Sequence, residues 1–189
     1  MANVVLMIHR ITKTSEDHRT KKIVMTGEAG QGIKLIAHVL ANILANLGKE
    51  VALNLVYDAA VRGGSIRAEM VYSDDPIDVP FFEEADIGLQ LSKTPNPSVL
   101  AKHVLIEASA CDAECKKCDI GCPVSDRIPF EKLATEQFGS PVFVNMIALG
   151  RLLNKIGINI EMVNFASEFS MQFLDENTKA IRYGYTYQD

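Results

Sequence analysis

Two kinds of residue clusters in this chain have the types and spacing to do chemistry. The first is Cys111-x3-Cys115-x2-Cys118-x3-Cys122, followed by Pro123, which holds all four cysteines of the protein within twelve residues. Four thiolates in one short loop can satisfy a 4Fe–4S cluster or a tetrahedral zinc ion. A disulfide scaffold would instead spread its cysteines to staple distant segments. The second is a pair of glycine-rich turns, Gly27-Glu28-Ala29-Gly30-Gln31-Gly32 and Val61-Arg62-Gly63-Gly64-Ser65. The first can present backbone N–H groups and a helix N-terminus to an anion. The second sets a guanidinium beside two unhindered peptide units. Together they point to a site for a phosphorylated molecule.

These residues must be positioned by the elements around them. Residues 22–26 read as a buried strand that runs into the first turn, and 32–47 as an amphipathic helix leaving it. Its apolar set is Ile33, Ile36, Ala37, Leu40, Ile43, Leu44 and Leu47, with Lys34, His38, Asn42 and Asn46 at i+4 on the other face. Gly48 follows where a helix C-terminus places glycine. Further strands are expected at Val51–Val56, Ile66–Tyr72, Ile87–Leu91 and Val104–Ile106, and an earlier one over residues 4–11. Helical turns are expected within Pro95–Ala101. Helices are expected at Pro129–Phe138, with the proline in the first turn, at Asn145–Ile156, and in the remaining C-terminal segment. Alternating strands and helices predict an α/β fold. The expected architecture is a mostly parallel, Rossmann-like open sheet flanked by helices, in a single domain over 22–189 with a cysteine-rich loop. Residues 1–21 are expected to form an N-terminal extension or linker.

A chain of 189 residues with 48% hydrophobic and 23% charged residues has the composition of a soluble globular domain. A net charge of -5 without a Lys/Arg cluster argues against a nucleic-acid partner. No apolar run is long enough to span a bilayer, and Val4–Ile8 is too short for a signal-peptide core. The expected location is the cytoplasm.

The first glycine turn departs from both familiar phosphate motifs. Gly27, Gly30 and Gly32 give G-x-x-G-x-G, with Ala29 where a dinucleotide fingerprint needs its second glycine. The same glycines have P-loop spacing, but Ile33 occupies the lysine position, Lys34 is displaced by one, and no Ser or Thr follows for Mg²⁺. Nucleotide hydrolysis and hydride transfer are therefore not expected. A turn that uses glycine only for close packing remains the plain alternative. Asn145 reads as the cap of its helix, Met146 and Leu149 as core, and His38 as solvated. His9, His18 and His103 have no ligand-spaced partner, and Asp74, Asp75 and Asp78 suit a solvated turn beside Pro76. No catalytic residue is identified.

Taken in order, these pieces resemble a known family. Gly-Glu-Ala-Gly-Gln-Gly is followed by Val-Arg-Gly-Gly-Ser, then Val71-Tyr-Ser-Asp-Asp-Pro-Ile77, Ala85-Asp-Ile-Gly-Leu-Gln-Leu-Ser92, Val144-Asn-Met-Ile-Ala-Leu-Gly150, Asn177-x-x-Ala180 and Gly184-Tyr185. Over residues 22–185 the succession is similar to the gamma subunit of 2-oxoacid:ferredoxin (acceptor) oxidoreductases. The resemblance implies a part in an enzyme that converts a 2-oxoacid and coenzyme A to acyl-CoA and CO₂ and passes two electrons to ferredoxin. Thiamine diphosphate and 4Fe–4S clusters would sit on alpha, beta and ferredoxin-like partner subunits, and the gamma module would help to hold coenzyme A. On that reading Gly27, Gly30, Gln31, Gly32, Arg62, Gly63, Gly64, Ser65 and Asn145 form the candidate cofactor-binding set. An interface ion pair is the competing role for Arg62.

The cysteine loop is not part of the family pattern. Its second half resembles the end of a bacterial ferredoxin run. Its first half coincides with a radical-SAM signature, which belongs near the start of a much longer barrel. Zinc sites more often pair two Cys-x2-Cys knuckles, which favours iron–sulfur over zinc. Free or locally bridged thiols are the alternative. For the chain as a whole, the rival to an oxidoreductase subunit is a free-standing nucleotide- or metal-binding regulatory module. Dependence on thiamine-binding partners separates the two.

Overall fold

The computed structural model describes residues 20–57, 64–92, 100–110 and 125–188. The strand expected over residues 4–11, Arg62 and Gly63, the helical turns expected to begin at Pro95, and all four cysteines lie outside the described residues. Six strands appear within them: β1 (Lys21–Glu28), β2 (Glu50–Tyr57), β3 (Ser65–Ser73), β4 (Glu84–Gln90), β5 (Leu100–Glu107) and β6 (Ser125–Ile128). They form one open sheet in the order β2-β3-β1-β4-β5-β6. The helices are α1 (Ile33–Asn46), α2 (Phe130–Phe138), α3 (Val144–Lys155) and α4 (Leu174–Thr186).

The β1–β4, β4–β5 and β5–β6 ladders are parallel, whereas β3 runs antiparallel to both β2 and β1. The cause is connection length. Residues 58–64 are too few for a parallel crossover, which needs about a dozen or more, so the chain turns back on itself. Leu100 and Ala101, expected in a helical turn, are the first residues of β5. The short edge strand β6 was not expected, because Ser125-Asp126-Arg127-Ile128 carries no apolar run to announce it.

One large core joins the sheet face of Ile23, Met25, Leu89 and Leu105 to all four helices. Among the described residues, no α-helix joins the smaller cluster formed by Val24, Val104 and Ile106 with Ala85, Ala101 and Ala110. Helix α1 buries the apolar face its sequence foretold, apart from Leu47, which is half-buried. Gly48 ends it at φ 80, with Lys49 N–H donating to Leu44 O at 3.0 Å. Its polar face also has a structural use: Asn42 and Asn46 donate to the two oxygens of Glu168, at 3.0 and 3.3 Å.

Helices α3 and α4 cross at two glycines. A Cβ on Gly150 would lie 1.9 Å from Ile181 O, and one on Gly184 would lie 2.0 Å from Ile147 O. Each helix therefore presses its backbone against the glycine of the other. Two local expectations are corrected here. Pro129 stands at the N-cap of α2 rather than in its first turn. Asn145 is not a cap: α3 begins at Val144 after Phe143, with no side-chain cap hydrogen bond. The chain enters α3 directly from the 3-10 turn Pro141–Phe143, where Ser140 does the capping.

Candidate functional site

The topology marks one end of the sheet. From β1 the chain passes through α1 to β2 on one side, while β4, β5 and β6 step away on the other. The carboxyl ends of β1 and β4 thus flank a topological switch point, where open α/β sheets bind ligands. The first glycine turn leaves the end of β1. The second leads into β3, whose Ser65 pairs with Glu28. Ala29 N–H donates to Gly64 O at 3.0 Å, so the first turn lies beside Gly64 and Ser65, the described end of the second motif.

The turn has a structural side and an open side. Gln31 makes the structural side: its Oε1 accepts Glu28 N–H at 2.8 Å, and its Nε2 donates to Leu91 O at 3.4 Å. Its backbone N–H donates to Glu28 O at 3.1 Å. Both its amide groups are therefore spent inside the protein, and it ties the β1 turn to the end of β4. Leu91 N–H adds a 3.0 Å bond to Thr26 O, and Gln90 Nε2 donates to Ser92 O at 3.1 Å. Thr26 is 2% exposed and Gln90 fully buried. Sequence reasoning missed both. Their signal was a polar side chain ending an otherwise apolar strand.

Gly30 and Gly32 take φ values of 98 and 81, in the left-handed region that favours glycine. Asn145, at the start of α3, packs on Gly32: a Cβ there would lie 2.5 Å from its Nδ2. The Asn145 Oδ1 is buried without a hydrogen-bond partner among the described residues. A Cβ on Gly27 would meet Gln31 Oε1 and Ile33, each at 2.8 Å. Gly27, Gly30, Gln31, Gly32, Gly64, Ser65 and Asn145 are thus gathered at one end of the sheet.

On the open side lies a cavity of about 460 Å³, bounded by Gly30, Gly32, Ile33, Leu35 and Ile66, with Lys34 and His38 on its wall. Helix α1 opens onto it with no side-chain cap and no acidic residue in its first turn. Uncapped N–H groups and the helix dipole give this end a positive potential.

The perturbed carboxyls stand elsewhere. Asp86, near the start of β4, is pushed up by burial. Hydrogen bonds from Lys102 and the Lys22 N–H, with the charges of Lys102 and Lys21, outweigh this and hold it below the usual carboxylate range. Asp126, at the start of β6, is likewise raised by burial but lowered overall by Lys155 and His103. Asp86 lies at the strand beginnings, beside Lys22 and opposite the glycine turns, and ties β4 to β1 and β5. Asp126 lies on the edge strand β6 beside Leu105 and ties it to α3 through Lys155. Among the described residues no group of His, Cys, Asp or Glu is arranged to hold a metal ion. No described helix is long and apolar enough to cross a membrane.

Comparison with known proteins agrees with this fold. A family model described as pyruvate ferredoxin/flavodoxin oxidoreductase matches residues 22–116. The 2-oxoglutarate synthase subunit KorC of Archaeoglobus fulgidus is 33% identical over 172 residues, covering 88% of this chain and 87% of that protein. KorC of Methanocaldococcus jannaschii is 29% identical over 158 residues, 80% of each chain. Among solved structures, the gamma subunit of a keto/oxoacid ferredoxin oxidoreductase from Geobacter sulfurreducens has a TM-score of 0.66 at 18% identity. That match covers 87% of this chain and 96% of the other. A 2-oxoglutarate:ferredoxin oxidoreductase from Magnetococcus marinus, solved with 2-oxoglutarate, coenzyme A and succinyl-CoA bound, has a TM-score of 0.70 at 19% identity. It matches 89% of this chain, which spans only 31% of that longer one. At such identities the two structures establish the shared fold. The family match and the Archaeoglobus relative go further: the chain belongs to the pyruvate ferredoxin/flavodoxin oxidoreductase family, as a gamma-type subunit of a 2-oxoacid:ferredoxin oxidoreductase.

Proposed function

We propose that this subunit holds coenzyme A at the paired glycine turns, within a complex that oxidises a 2-oxoacid to acyl-CoA and CO₂ and passes two electrons to ferredoxin. The observation that supports the reading is that the first turn is joined at the switch point to Gly64, at the described end of the second motif, by the Ala29–Gly64 hydrogen bond. Thiamine diphosphate on the partner subunits supplies the carbanion chemistry, and 4Fe–4S clusters there carry the electrons. This chain contributes binding and placement. The left-handed glycines let a ligand approach the backbone, Gln31 fixes the turn against β4, and Asn145 seats it from α3. Arg62 and Gly63, beside the described Gly64 and Ser65, add a charge-assisted contact to a phosphate.

Assembly with thiamine-binding partner subunits tests this reading. The complex should oxidise a 2-oxoacid in a CoA-dependent reaction, and 2-oxoglutarate is the first acid to try because the named relatives are 2-oxoglutarate synthase subunits. Partners that reach full CoA-dependent turnover without this chain would overturn it. Within the complex, Arg62→Ala should weaken the apparent affinity for CoA, and an unchanged affinity would return Arg62 to an interface role.

The four cysteines carry a separate proposal. Cys111, Cys115, Cys118 and Cys122 bind a 4Fe–4S cluster or zinc, in the connection between β5 and β6. Support comes from their number and spacing alone. Anaerobic purification followed by absorption spectroscopy and metal analysis decides it, and a colourless protein free of iron and zinc would refute it.

A further inference from the structure

We infer that Lys34 is a further binding residue of this site, its ammonium neutralising a phosphate of coenzyme A in the cavity beside the glycine turn. The inference rests on the coenzyme reading above and adds a residue that the turn motifs do not contain. The cavity has about 460 Å³ and is a shallow depression open to solvent, room for one arm of a ligand rather than an enclosing pocket. Ile33, Leu35 and Ile66 give it apolar walls, suited to an uncharged arm, and Lys34 gives it a cation on an exposed, flexible stem. No carboxylate is among the described residues that bound it.

The state of Lys34 sets it apart from the lysines that tie the fold together. Lys49, Lys102 and Lys155 reach Asp74, Asp86 and Asp126 at 2.6, 2.8 and 2.7 Å. Lys34 is exposed on the wall of the cavity, and no carboxylate among the described residues neutralises it. His38, one helical turn on, shares that wall, as i and i+4 positions must. In a phosphate-loop enzyme the lysine follows the last glycine directly. Here it stands one residue later. Ile33, in the lysine's place, is fully buried and so belongs to the core, whereas position 34 falls on the open side.

The test uses the assembled complex and two readouts. First, Lys34→Met should raise KM for CoA about fivefold to tenfold while kcat stays within about twofold, the loss of one charge-assisted contact. Its KM should also rise less steeply with salt than that of the parent, and Lys34→Arg should recover most of the affinity. Second, hydrogen exchange over residues 27–36 is followed with and without CoA. Protection of this segment that Lys34→Met weakens supports the assignment. Protection with KM and its salt dependence unchanged in Lys34→Met would overturn the role of Lys34 and leave the coenzyme at the turn. No protection by saturating CoA would remove the coenzyme from this turn, and both readings with it.

Discussion

Glycine is used twice in this fold, for opposite reasons. Where α3 crosses α4, Gly150 and Gly184 have ordinary helical backbones and no room, since an added Cβ would strike a carbonyl oxygen of the other helix. In the β1–α1 turn, Gly30 has a left-handed backbone and nothing within 4 Å of an added Cβ. The crossing needs glycine for contact, and the turn needs it for conformation. Contact glycines belong to the core and bear on stability. A conformational glycine facing an open cavity keeps backbone accessible, which is what a ligand site requires. Gly32 combines the two, being left-handed and also pressed by Asn145.

The largest effect is expected at the crossing. Alanine in an exposed helix interior gains up to about 1 kcal/mol over glycine, so propensity alone predicts that Gly150→Ala stabilises. With a backbone oxygen 1.9 Å away, the helices must instead separate, at a cost of about 3 kcal/mol or more. The net outcome is a fall in Tm of roughly 5–10 °C, measurable by calorimetry. Gly184→Ala should behave alike. The double variant should lose less than the sum, because one separation relieves both clashes. A rise in Tm for either single variant would break the contact reading.

Gly32→Ala comes next. Left-handed strain costs about 1–2 kcal/mol, and the collision with Asn145 adds to it. Asn145→Ala in the Gly32→Ala background should recover the collision and leave the strain, giving a coupling of about 1 kcal/mol in denaturant unfolding. Additive losses would mean that Asn145 does not press on the turn. Gln31→Met tests the tie to β4 with nearly the same volume and neither hydrogen bond. Partly exposed bonds of this kind contribute about 1 kcal/mol in all. Faster hydrogen exchange should be confined to the turn and the end of β4, and exchange that is unchanged there would sink the tie.

Much of this comparison was visible in the sequence, though its physical sense was not. The turn was legible because strand, glycines and amphipathic helix follow one another within 22–47, and local pattern is what a sequence states most clearly. The direction of β3 was also written there, in the shortness of residues 58–64. The family pattern contained Gly150 and Gly184 without a reason for either, because the reason is a contact between helices distant in sequence. A glycine inside a helical pattern usually has such a packing cause. Asn145 was misread for a similar cause. Its type suggests a cap, but the 3-10 turn at Pro141–Phe143 supplies the helix entry, and its side chain is used against Gly32 instead. Lys34 and His38 lay on a face that read as solvent. Only the neighbouring turn and Ile66 make that face the wall of a cavity.

A modest effect at Gly30 sharpens the comparison most. Gly30 and Gly32 share the left-handed region, at φ 98 and 81, but only Gly32 meets a side chain. Gly30→Ala therefore carries strain alone, about 1–2 kcal/mol, and Gly30→Asn carries less, since Asn visits this region more readily. Unfolding of the isolated subunit should rank Gly30→Asn, Gly30→Ala and Gly32→Ala in increasing order of loss. Binding should rank them differently. If coenzyme A lies in the cavity beside Gly30, even the small Gly30→Asn side chain enters its space, and KM for CoA rises beyond what the stability loss explains. KM values that simply follow stability across the three variants would make the turn a folding device, with the same purpose as the crossing of α3 and α4.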